Sequence, residues 1–463
     1  MFKITNVLNK YLINKFNSSG PYYTSYPSLS KWSYNISEKN YLSALSDFIP
    51  DAERDATGLY IHFPFCPKQC YYCICNANIT HDREKINDFL EYLLHELDMI
   101  FEFFQKRGRK LRITEIHIGG GSPSFMNEKE FGILIGKIRS MVDEKEVQEF
   151  SIEVDPRTTN LDKLSIYHDA GINRLSFGMQ DLNEQVQKAI NRIHPFELVQ
   201  SLLTSKIRTC FESINFDILY GLPLQTRESF RETIESVIKL SPDRVTLLRY
   251  AHIPERRKHQ KVLEKYKMPD DTEKAWMFFD TLEKLKENGW EHIGIDHFAK
   301  PFDSLAMAQK NKMMKRSFIG FTSGKSNNLL GIGPTSTTKL NGYYFQNFYS
   351  LNEYCKTVSK GNFPISRGYK LTIDDMIRLD IINMILCSYC LNFEEIESKY
   401  KINFNIYFEK ELLSLNEFVE DGMIESNPNE IRVTDLGRGF LRHICKIFDR
   451  FLNDNKIYKI VGP

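Results

Sequence analysis

Residues 57–75 read TGLYIHFPFCPKQCYYCIC, an apolar run of strand type followed by four cysteines within ten residues. The first three, Cys66, Cys70 and Cys73, have the spacing C-x3-C-x2-C. Three thiolates on one short loop can hold three irons of a cubane cluster and leave the fourth iron open. An open iron can bind and reduce a ligand, whereas a cluster closed by four cysteines mainly transfers electrons. The stretch therefore predicts an iron-sulfur centre directly after a strand.

The same cysteines allow two other interpretations. Zinc sites typically use two well-separated pairs of ligands, so four cysteines on one loop favour a cubane over a zinc-binding regulator. Cys75, which ends the run, is either a fourth ligand that closes the cluster or a nearby thiol that does not bind it. The spacing alone leaves both roles of Cys75 open.

The composition limits the class of protein. At 463 residues the chain is long enough for two domains, and its formal net charge of +1 gives no general attraction to nucleic acid or anionic lipid. No run of about 18 apolar residues predicts a membrane span, and the N-terminus lacks the apolar core of a signal peptide. Because the cysteines are crowded rather than scattered, we expect a reducing, cytoplasmic location.

From residue 57 to about 298 the chain alternates strand and helix patterns. Strands are predicted at 57–63, 113–118, 150–155, 173–178, 213–219, 244–249 and 291–296. The helix patterns include 85–104 and a segment that begins after the capping residue Asp270 and ends at Gly289. Alternating units predict a parallel sheet, closed or partly closed as a barrel. In such barrels the chemistry lies at the carboxyl ends of the strands, where the cysteine loop is expected.

Glycine and polar residues follow several of these strands. Gly119–Gly121 predict a turn that lets the backbone approach a ligand, although a tight turn alone is the simpler interpretation. Glu153, Gln180, Arg192 and Asp217 are either separate salt-bridge and capping residues or parts of one pocket. A basic group forms either a solvated face or a site for an acidic substrate, since arginine binds carboxylates bidentately. Its members are Arg256, Arg257, Lys258, Lys300, Lys312, Lys315 and Arg316.

From about residue 370 the pattern changes to helices with a short strand pair. Helices are predicted at 372–390, 392–400, 407–421 and 434–453, with strands at 423–426 and 431–434. This order is typical of a winged-helix module, but 12 basic against 16 acidic residues give this region a net charge of −4, which disfavours DNA binding. A lid or docking domain is favoured instead. Cys387 and Cys390, a second C-x2-C, are interpreted as helix packing rather than a redox pair.

Further motifs extend from the cysteine loop along nearly the whole chain. They are YTSYP at 23–27, YIHFPFC at 60–66, GGGSP at 119–123, SIEVDP at 151–156, RLSFGMQD at 174–181, YGLPLQT at 220–226, YAHIP at 250–254 and IDHFA at 295–299. Together they resemble the radical S-adenosylmethionine enzymes of the oxygen-independent coproporphyrinogen III oxidase family. Cys75 and the YTSYP segment are more typical of the true oxidase than of related haem-chaperone-like proteins or methyltransferases.

The resemblance implies an architecture. The fold class is α/β, with a partial (β/α)6 parallel barrel of the radical S-adenosylmethionine type over residues 56–368. An N-terminal extension covers residues 1–55, and a mostly helical, winged-helix-like domain covers residues 369–463.

The resemblance also implies the cofactors and their ligands. A 4Fe-4S cluster would be held by Cys66, Cys70 and Cys73, together with two molecules of S-adenosylmethionine. The residues implied to contact the first molecule are Tyr60, Tyr72, Gly120, Glu153 and Thr337. The residues implied to contact the second molecule are Gly121, Ser122, Gln180, Arg192, Asp217 and Ala251.

The implied reaction is a radical decarboxylation in porphyrin and haem biosynthesis. A 5′-deoxyadenosyl radical, formed by one-electron reduction of the sulfonium, takes a hydrogen from the β-carbon of a propionate of coproporphyrinogen III. Loss of CO2 and one electron leaves a vinyl group, and a second round gives protoporphyrinogen IX. The implied partners are this substrate and an electron donor such as flavodoxin or ferredoxin, for a monomeric oxidoreductase with no nucleic-acid partner.

Three positions depart from the family pattern. Tyr22 stands where the family often has Arg, which removes a contact available to a substrate carboxylate, and Ile118 replaces a common Trp. Thr337 is polar where an aliphatic residue is usual. These changes leave the radical chemistry intact and bear on substrate identity. The alternatives are a related enzyme that acts on another tetrapyrrole or transfers a methyl group, and a non-catalytic haem-binding carrier.

Overall fold

A single large sheet runs through the middle of the chain and positions the cysteine loop. The structure, a computed structural model, describes residues 10–16, 20–48, 56–324 and 326–452. Of the segments named above, these parts lie outside the described residues: 1–9, 17–19, 49–55, 325 and 453–463.

The strands of the described residues fall into one large and three small sheets. In chain order they are β1 (Thr57–Phe63), β2 (Phe65–Cys66), β3 (Asn78–Ile79), β4 (Ile113–Gly120), β5 (Glu149–Val154), β6 (Arg174–Gln180), β7 (Ser213–Tyr220), β8 (Arg244–Arg249), β9 (Glu291–Ile293), β10 (His297–Ala299), β11 (Lys315–Ser317), β12 (Gly320–Thr322), β13 (Asn328–Ile332), β14 (Thr337–Leu340), β15 (Tyr343–Asn347), β16 (Ile365–Lys370), β17 (Cys390–Asn392), β18 (Ile424–Ser426) and β19 (Glu430–Val433). The large sheet has the order β16-β15-β14-β13-β1-β4-β5-β6-β7-β8-β10-β9.

Helices connect most of these strands. In chain order they are α1 (Lys10–Lys15), α2 (Glu38–Asp47), α3 (Arg83–Gln105), α4 (Glu128–Met141), α5 (Leu161–Asp169), α6 (Glu184–Ala189), α7 (Phe196–Leu202), α8 (Ser205–Cys210), α9 (Arg227–Leu240), α10 (Asp271–Glu287), α11 (Ser304–Lys310), α12 (Leu351–Val358), α13 (Ile373–Ser388), α14 (Phe393–Tyr400), α15 (Phe404–Tyr407), α16 (Glu409–Glu420) and α17 (Leu441–Lys446). Short 3-10 helices occupy Leu29–Lys31, Pro123–Phe125, Lys258–Lys265 and Gly437–Phe440.

The strands from β1 through β4, β5, β6 and β7 to β8 are parallel, with helices between them. Parallel neighbours need such crossover connections, so the alternation predicted from the sequence is confirmed. The first six predicted strands lie within two residues of their observed bounds. The sheet order leaves β16 and β9 as its two edges, so the six parallel units form a partial, open barrel.

The elements follow from local sequence chemistry. The parallel strand β1 is buried at nearly every position, as expected for a sheet covered on both faces. Helix α3 buries Phe89, Leu93 and Leu97, one helical stripe against the sheet. The predicted start of α10 is confirmed, because the Asp270 carboxylate accepts a hydrogen bond from the Glu273 N–H at 2.8 Å in a capping box.

The seventh predicted strand, 291–296, is wrong in its extent. The chain forms β9 only as far as Ile293, turns at Gly294 and returns as β10. Gly294 has φ +58°, and a Cβ at this position would lie 2.2 Å from the Phe321 ring. Strand β10 then pairs antiparallel with β8, so a hairpin ends the parallel run.

The last predicted helix, 434–453, is also interrupted. Its observed parts are a 3-10 turn at Gly437–Phe440 and the short α17. Glycines allow the chain to lie close to its neighbours here, since a Cβ at Gly437 would lie 1.9 Å from the Met423 carbonyl oxygen. Cys387 is buried in α13 as expected, whereas Cys390 lies beyond the helix end and begins β17.

The terminal segments contact the antiparallel part of the large sheet. Trp32 stacks on Tyr344 of β15 with ring centroids 5.2 Å apart, and Ser33 pairs with Gly368 of β16. Strands β17, β19 and β18 form a small antiparallel sheet beside α13 to α16, the winged-helix-like arrangement expected from the sequence. In the part of the chain that the structure describes, we find no helix with the length and apolar character of a bilayer crossing.

Candidate active site

The cysteine loop is held at its start by backbone pairing. Strand β2 pairs with β3 across the loop, and the Thr80 N–H donates to the Cys66 carbonyl at 3.1 Å. The Tyr71 N–H donates to the Ile190 carbonyl at 2.9 Å, and the Asn191 side chain donates to the Gln69 carbonyl at 2.7 Å. The loop conformation is therefore set by contacts with the segment after β6.

The end of the loop is held by residues that follow β8. His259 Nε2 lies 2.7 Å from the Cys73 carbonyl oxygen, and Arg257 donates to the Ile74 carbonyl. Gln260 donates from one amide to the carbonyls of Tyr72, at 2.9 Å, and Ala251, at 3.0 Å. The Gln260 amide therefore holds Tyr72 and Ala251, two residues expected to contact the cofactors, next to each other.

Two guanidinium groups contact the sulfur of Cys70. Arg157 Nη2 donates to Cys70 Sγ at 3.4 Å, and Arg192 Nη1 donates to it at 3.6 Å. Both arginines bind Asp155, at 2.7 and 2.9 Å. Burial alone would raise the pKa of Asp155, but Arg192 and Arg157 hold it below its usual range. The buried carboxylate thus fixes two cations beside a candidate metal ligand.

Hydrogen-bond donors are directed at two of the loop sulfurs, Cys70 and Cys73, whereas burial raises the pKa of Cys66. All four cysteines of the loop are free thiols, and the Cys75 N–H donates to Cys73 Sγ at 3.4 Å. Hydrogen bonds from Cys75 hold the pKa of Cys73 below its ordinary value. Donors directed at sulfur stabilise a thiolate, so the loop fits the ligand requirement of an iron-sulfur cluster.

The glycines after β4 are required by close packing. Gly120 has φ +116°, and a Cβ there would lie 2.8 Å from the His62 ring. A Cβ at Gly121 would lie 2.8 Å from the Phe65 carbonyl oxygen. The Gly120 N–H donates to Glu153 at 3.1 Å, so the turn joins the end of β1 to the end of β5. The close approach of β1 and the residues after it leaves no room for a side chain at Gly120 and Gly121. This packing explains the glycines even in the absence of a ligand.

A first group of expected site residues surrounds Tyr60. Its ring stacks on His117 at 5.8 Å, and His117 Nε2 lies 3.4 Å from Glu153 Oε1. Tyr60 is also in register with Gly331 of β13, which lies against the backbone of Thr337. The structure therefore brings Tyr60, Glu153 and Thr337 together with the Gly120 turn.

A second group surrounds Gly178 of β6. A Cβ at Gly178 would lie 2.9 Å from Arg192 and 3.0 Å from the Gln180 amide, so these two side chains converge on it. Asp217 is the register partner of Gly178 in β7, and it accepts from Ser176 at 3.0 Å. Burial, with the Glu153 charge as a smaller cause, raises the pKa of Asp217.

Two further expected site residues, Tyr72 and Ser122, do not contact the group to which they were assigned in the way that the others do. Tyr72, implied to contact the first S-adenosylmethionine, packs with Tyr250 in the apolar cluster that follows β8, closer to the second group. Ser122 is buried, with its N–H bonded to the Phe65 carbonyl at 2.9 Å and its hydroxyl 3.5 Å from that of Ser124.

The arrangement differs from a single-ion site. Among the described residues, no three His, Cys, Asp or Glu side chains converge in a way that would hold one metal ion. A structural zinc site gathers four ligands around one point, whereas a cubane holds its thiolates at separate corners.

Sequence reasoning missed several residues of this site. Arg157, His259 and Gln260 contact the loop, yet none was proposed as a site residue from the sequence. Arg157 could have been identified as a candidate site residue because it lies two residues after Asp155, at the end of a predicted strand. His259 and Gln260 lie in a 3-10 helix with no recognisable motif.

Comparison with known proteins gives consistent matches. A family model described as the radical SAM superfamily matches residues 60–237. The oxygen-independent coproporphyrinogen III oxidases of Escherichia coli and Pseudomonas aeruginosa are 36% and 35% identical to the chain, each over 95% of both proteins. The corresponding oxidase of Synechocystis sp. is 33% identical over 96% of this chain and 95% of its own length.

A solved structure gives the same result. The structure of coproporphyrinogen III oxidase from Escherichia coli, described as a radical SAM enzyme, matches with a TM-score of 0.88 and 34% sequence identity. The match covers 96% of this chain and 99% of that chain. The likeness therefore extends through the terminal segments as well as the barrel.

Proposed function

Since the chain belongs to the oxygen-independent coproporphyrinogen III oxidase family of radical S-adenosylmethionine enzymes, we propose that it converts coproporphyrinogen III to protoporphyrinogen IX by oxidative decarboxylation of two propionates. The observation that carries the proposal is the full-length likeness to the Escherichia coli oxidase, 36% identity over 95% of both chains. The loop of free thiols with N–H donors directed at its sulfurs supports the same chemistry.

We assign the cluster to Cys66, Cys70 and Cys73. When bound, the cluster and S-adenosylmethionine supply a 5′-deoxyadenosyl radical that takes hydrogen from the substrate. Cys75 is assigned as a nearby thiol that does not bind the cluster, since it lies outside the C-x3-C-x2-C spacing; its backbone N–H donates to Cys73 Sγ at 3.4 Å. Cys70 is held in place by the guanidiniums of Arg157 and Arg192.

The two groups of polar residues are assigned to two S-adenosylmethionine molecules. The residues that would bind and orient the first molecule are Tyr60, Tyr72, Gly120, Glu153 and Thr337. Gly121, Ser122, Gln180, Arg192, Asp217 and Ala251 bind the second molecule near Gly178. The convergence of Gln180 and Arg192 on Gly178, and the hydrogen bond from Gly120 to Glu153, support these assignments.

The remaining assignments concern partners and organisation. We assign a monomeric enzyme that takes electrons from a flavodoxin or ferredoxin. A cytoplasmic location is assigned as well, which agrees with the free cysteines of the described chain. The proposed divisions are residues 1–55, 56–368 and 369–463. The boundary at 368 falls within β16, so the last division begins on the edge of the large sheet.

The activity is tested by anaerobic product analysis. Reconstituted protein is incubated with S-adenosylmethionine, reductant and coproporphyrinogen III, and we expect the two-vinyl product and CO2. Consumption of S-adenosylmethionine without vinyl product would instead indicate another tetrapyrrole substrate or methyl transfer.

The cluster assignment is tested separately by substitution. Cys66→Ala is expected to lose both iron and turnover, because three thiolates are needed to hold the cubane. Cys210→Ala, which removes a free thiol at the end of α8, is the matched control and should retain both. A haem-binding carrier would tolerate Cys66→Ala and bind haem stoichiometrically, which would refute the proposed enzyme.

A further inference from the structure

Among the described residues, one buried and one half-buried arginine have no acidic side chain within ion-pair distance. Arg316 of β11 is only 9% exposed, and Arg442 of α17 is half-buried. Among the described residues, no carboxylate oxygen lies within the 4.0 Å ion-pair distance of either guanidinium. Other buried arginines of this chain are paired, Arg244 with Asp303 at 2.7 Å and Arg192 with Asp155 at 2.9 Å.

The two unpaired guanidiniums are held together by Tyr22. Arg316 donates from Nε and Nη2 to the Tyr22 carbonyl at 3.2 and 3.0 Å. The guanidinium carbon of Arg442 lies 4.4 Å from the centre of the Tyr22 ring, and that of Arg316 lies 4.4 Å from the Phe321 ring. Rings and a carbonyl orient a guanidinium but do not neutralise its charge.

The acidic residue nearest to the two arginines, Asp296, already binds another side chain. The charge of Asp296 acts on both arginines, but its carboxylate binds His297 Nδ1 at 2.6 Å. Burial lowers the pKa of Arg316, and the charge of Asp296 offsets only part of that effect. Burial also acts to lower the pKa of Arg442, but Tyr22, Tyr220 and Asp296 hold it above its ordinary value. A buried guanidinium with no carboxylate in ion-pair contact is costly, which makes this pair a candidate site for a ligand of opposite charge.

A series of contacts connects the arginine pair with the second site group. Phe321, under Arg316, lies edge-on to His297 at 5.3 Å. His297 is the cross-strand partner of Thr246 in β8, whose hydroxyl donates to Asn215. Asn215 in turn donates to Asp217 at 2.9 Å, so contacts run from the arginines to the second site group.

We propose that Arg316 and Arg442 form a carboxylate-binding subsite that receives a propionate of the substrate. The proposal rests on the proposed function, because coproporphyrinogen III carries the carboxylates. Tyr22 occupies the position where the family often has Arg, and the Arg442 guanidinium lies directly over its ring. The positive charge is therefore supplied from α17 instead of the N-terminal segment, with two planar guanidiniums suited to bidentate contact.

The test measures binding without turnover. The full-length reconstituted protein is titrated with coproporphyrin III, a stable tetracarboxylic acid, and with its tetramethyl ester, by fluorescence quenching. In Arg442→Met the Kd for the free acid should rise at least tenfold while the Kd for the ester stays unchanged. Arg432→Met is the control, since Arg432 is an exposed arginine paired with Glu430, and it should change neither Kd.

A second variant keeps the test decisive if Arg442→Met does not fold. Arg442→Lys retains the charge but replaces the planar fork by a point charge, so a smaller rise of severalfold is expected for the acid alone. An unchanged Kd for the acid, or an equal loss for acid and ester, would overturn the subsite. Failure of the proposed function is distinguishable, because it shows as absent vinyl product in the unsubstituted enzyme whatever the binding result.

Discussion

At the scale of single residues, Arg157 has the most specific consequence for the cluster. Its Nη2 donates to Cys70 Sγ at 3.4 Å, and Asp155 holds the guanidinium in place. Hydrogen bonds and positive charge at a ligating sulfur stabilise the reduced, more negative cluster. Arg157→Gln should therefore lower the midpoint potential of the cluster, by about 59 mV for each tenfold change in a one-electron equilibrium.

The measurement is a redox titration followed by electron paramagnetic resonance. Arg139→Gln removes an equal charge from the exposed surface of α4, where Arg139 binds Glu144 at 2.8 Å, and should leave the potential unchanged. An unchanged potential in Arg157→Gln with full iron content would show that the hydrogen bond does not act on the cluster.

At the scale of single residues, the cysteines could be predicted from the sequence, whereas the contact between Arg157 and Cys70 could not. Cys66, Cys70 and Cys73 could be proposed as cluster ligands from the sequence, because one short loop contains all three at the spacing C-x3-C-x2-C. Arg157 acts on Cys70 across 87 residues of chain, and no spacing rule relates the two. The convergence of Arg442 on Tyr22 is likewise a property of the tertiary structure.

At the scale of secondary-structure elements, Asp303 joins three of them. Its carboxylate accepts from Arg244 of β8 at 2.7 Å, from Ser213 of β7 at 2.7 Å and from the Leu305 N–H of α11 at 2.8 Å. Asp303→Ala leaves the buried Arg244 uncompensated, so it should lower the free energy of unfolding by about 3–5 kcal/mol.

Chemical denaturation of the parent protein, of Asp303→Ala and of a control variant, Asp271→Ala, tests this expectation. Asp271→Ala breaks the partly exposed pair with Arg249, whose side chains are 46% and 30% exposed, and should cost about 1 kcal/mol or less. Equal losses for the two substitutions would mean that the buried pair adds nothing beyond an exposed one.

The strands were predictable from the sequence because each parallel strand is a short apolar run bounded by helix signals. The error at 291–296 arose because the pattern EHIGID fits an extended strand, while Gly294 reverses the chain there. The isolated glycine was the available sign of a break. At 434–453, the glycines that interrupt the helix are explained only by contacts with Met423 and Phe279, which the sequence does not reveal.

At the scale of the whole molecule, Glu96 links distant parts of the barrel. This buried carboxylate of α3 accepts from the Gly333 N–H, Asn347 and Tyr354 at 2.8, 2.7 and 2.6 Å. Burial raises the pKa of Glu96 to about 7, and the three donors offset only part of that effect. The folded protein therefore binds this proton more tightly than the unfolded chain does.

The sign of the pH dependence follows from this difference. The contribution of Glu96 to stability is fully present below its ordinary pKa of 4.5 and is lost as pH rises through about 7. In Glu96→Gln the loss of unfolding free energy between pH 4.5 and 8 should be smaller than in the parent, by up to about 3 kcal/mol. Denaturation at several pH values measures it, and parallel profiles for the two proteins would contradict the assignment.

The donors that hold the end of the cysteine loop come from residues 257–260, which follow the acceptors by 183 to 188 positions along the chain. A nascent polypeptide cannot make these bonds until more than half of it has been synthesised and folded. The end of the cysteine loop therefore takes its final conformation only after residues 257–260 have folded against it.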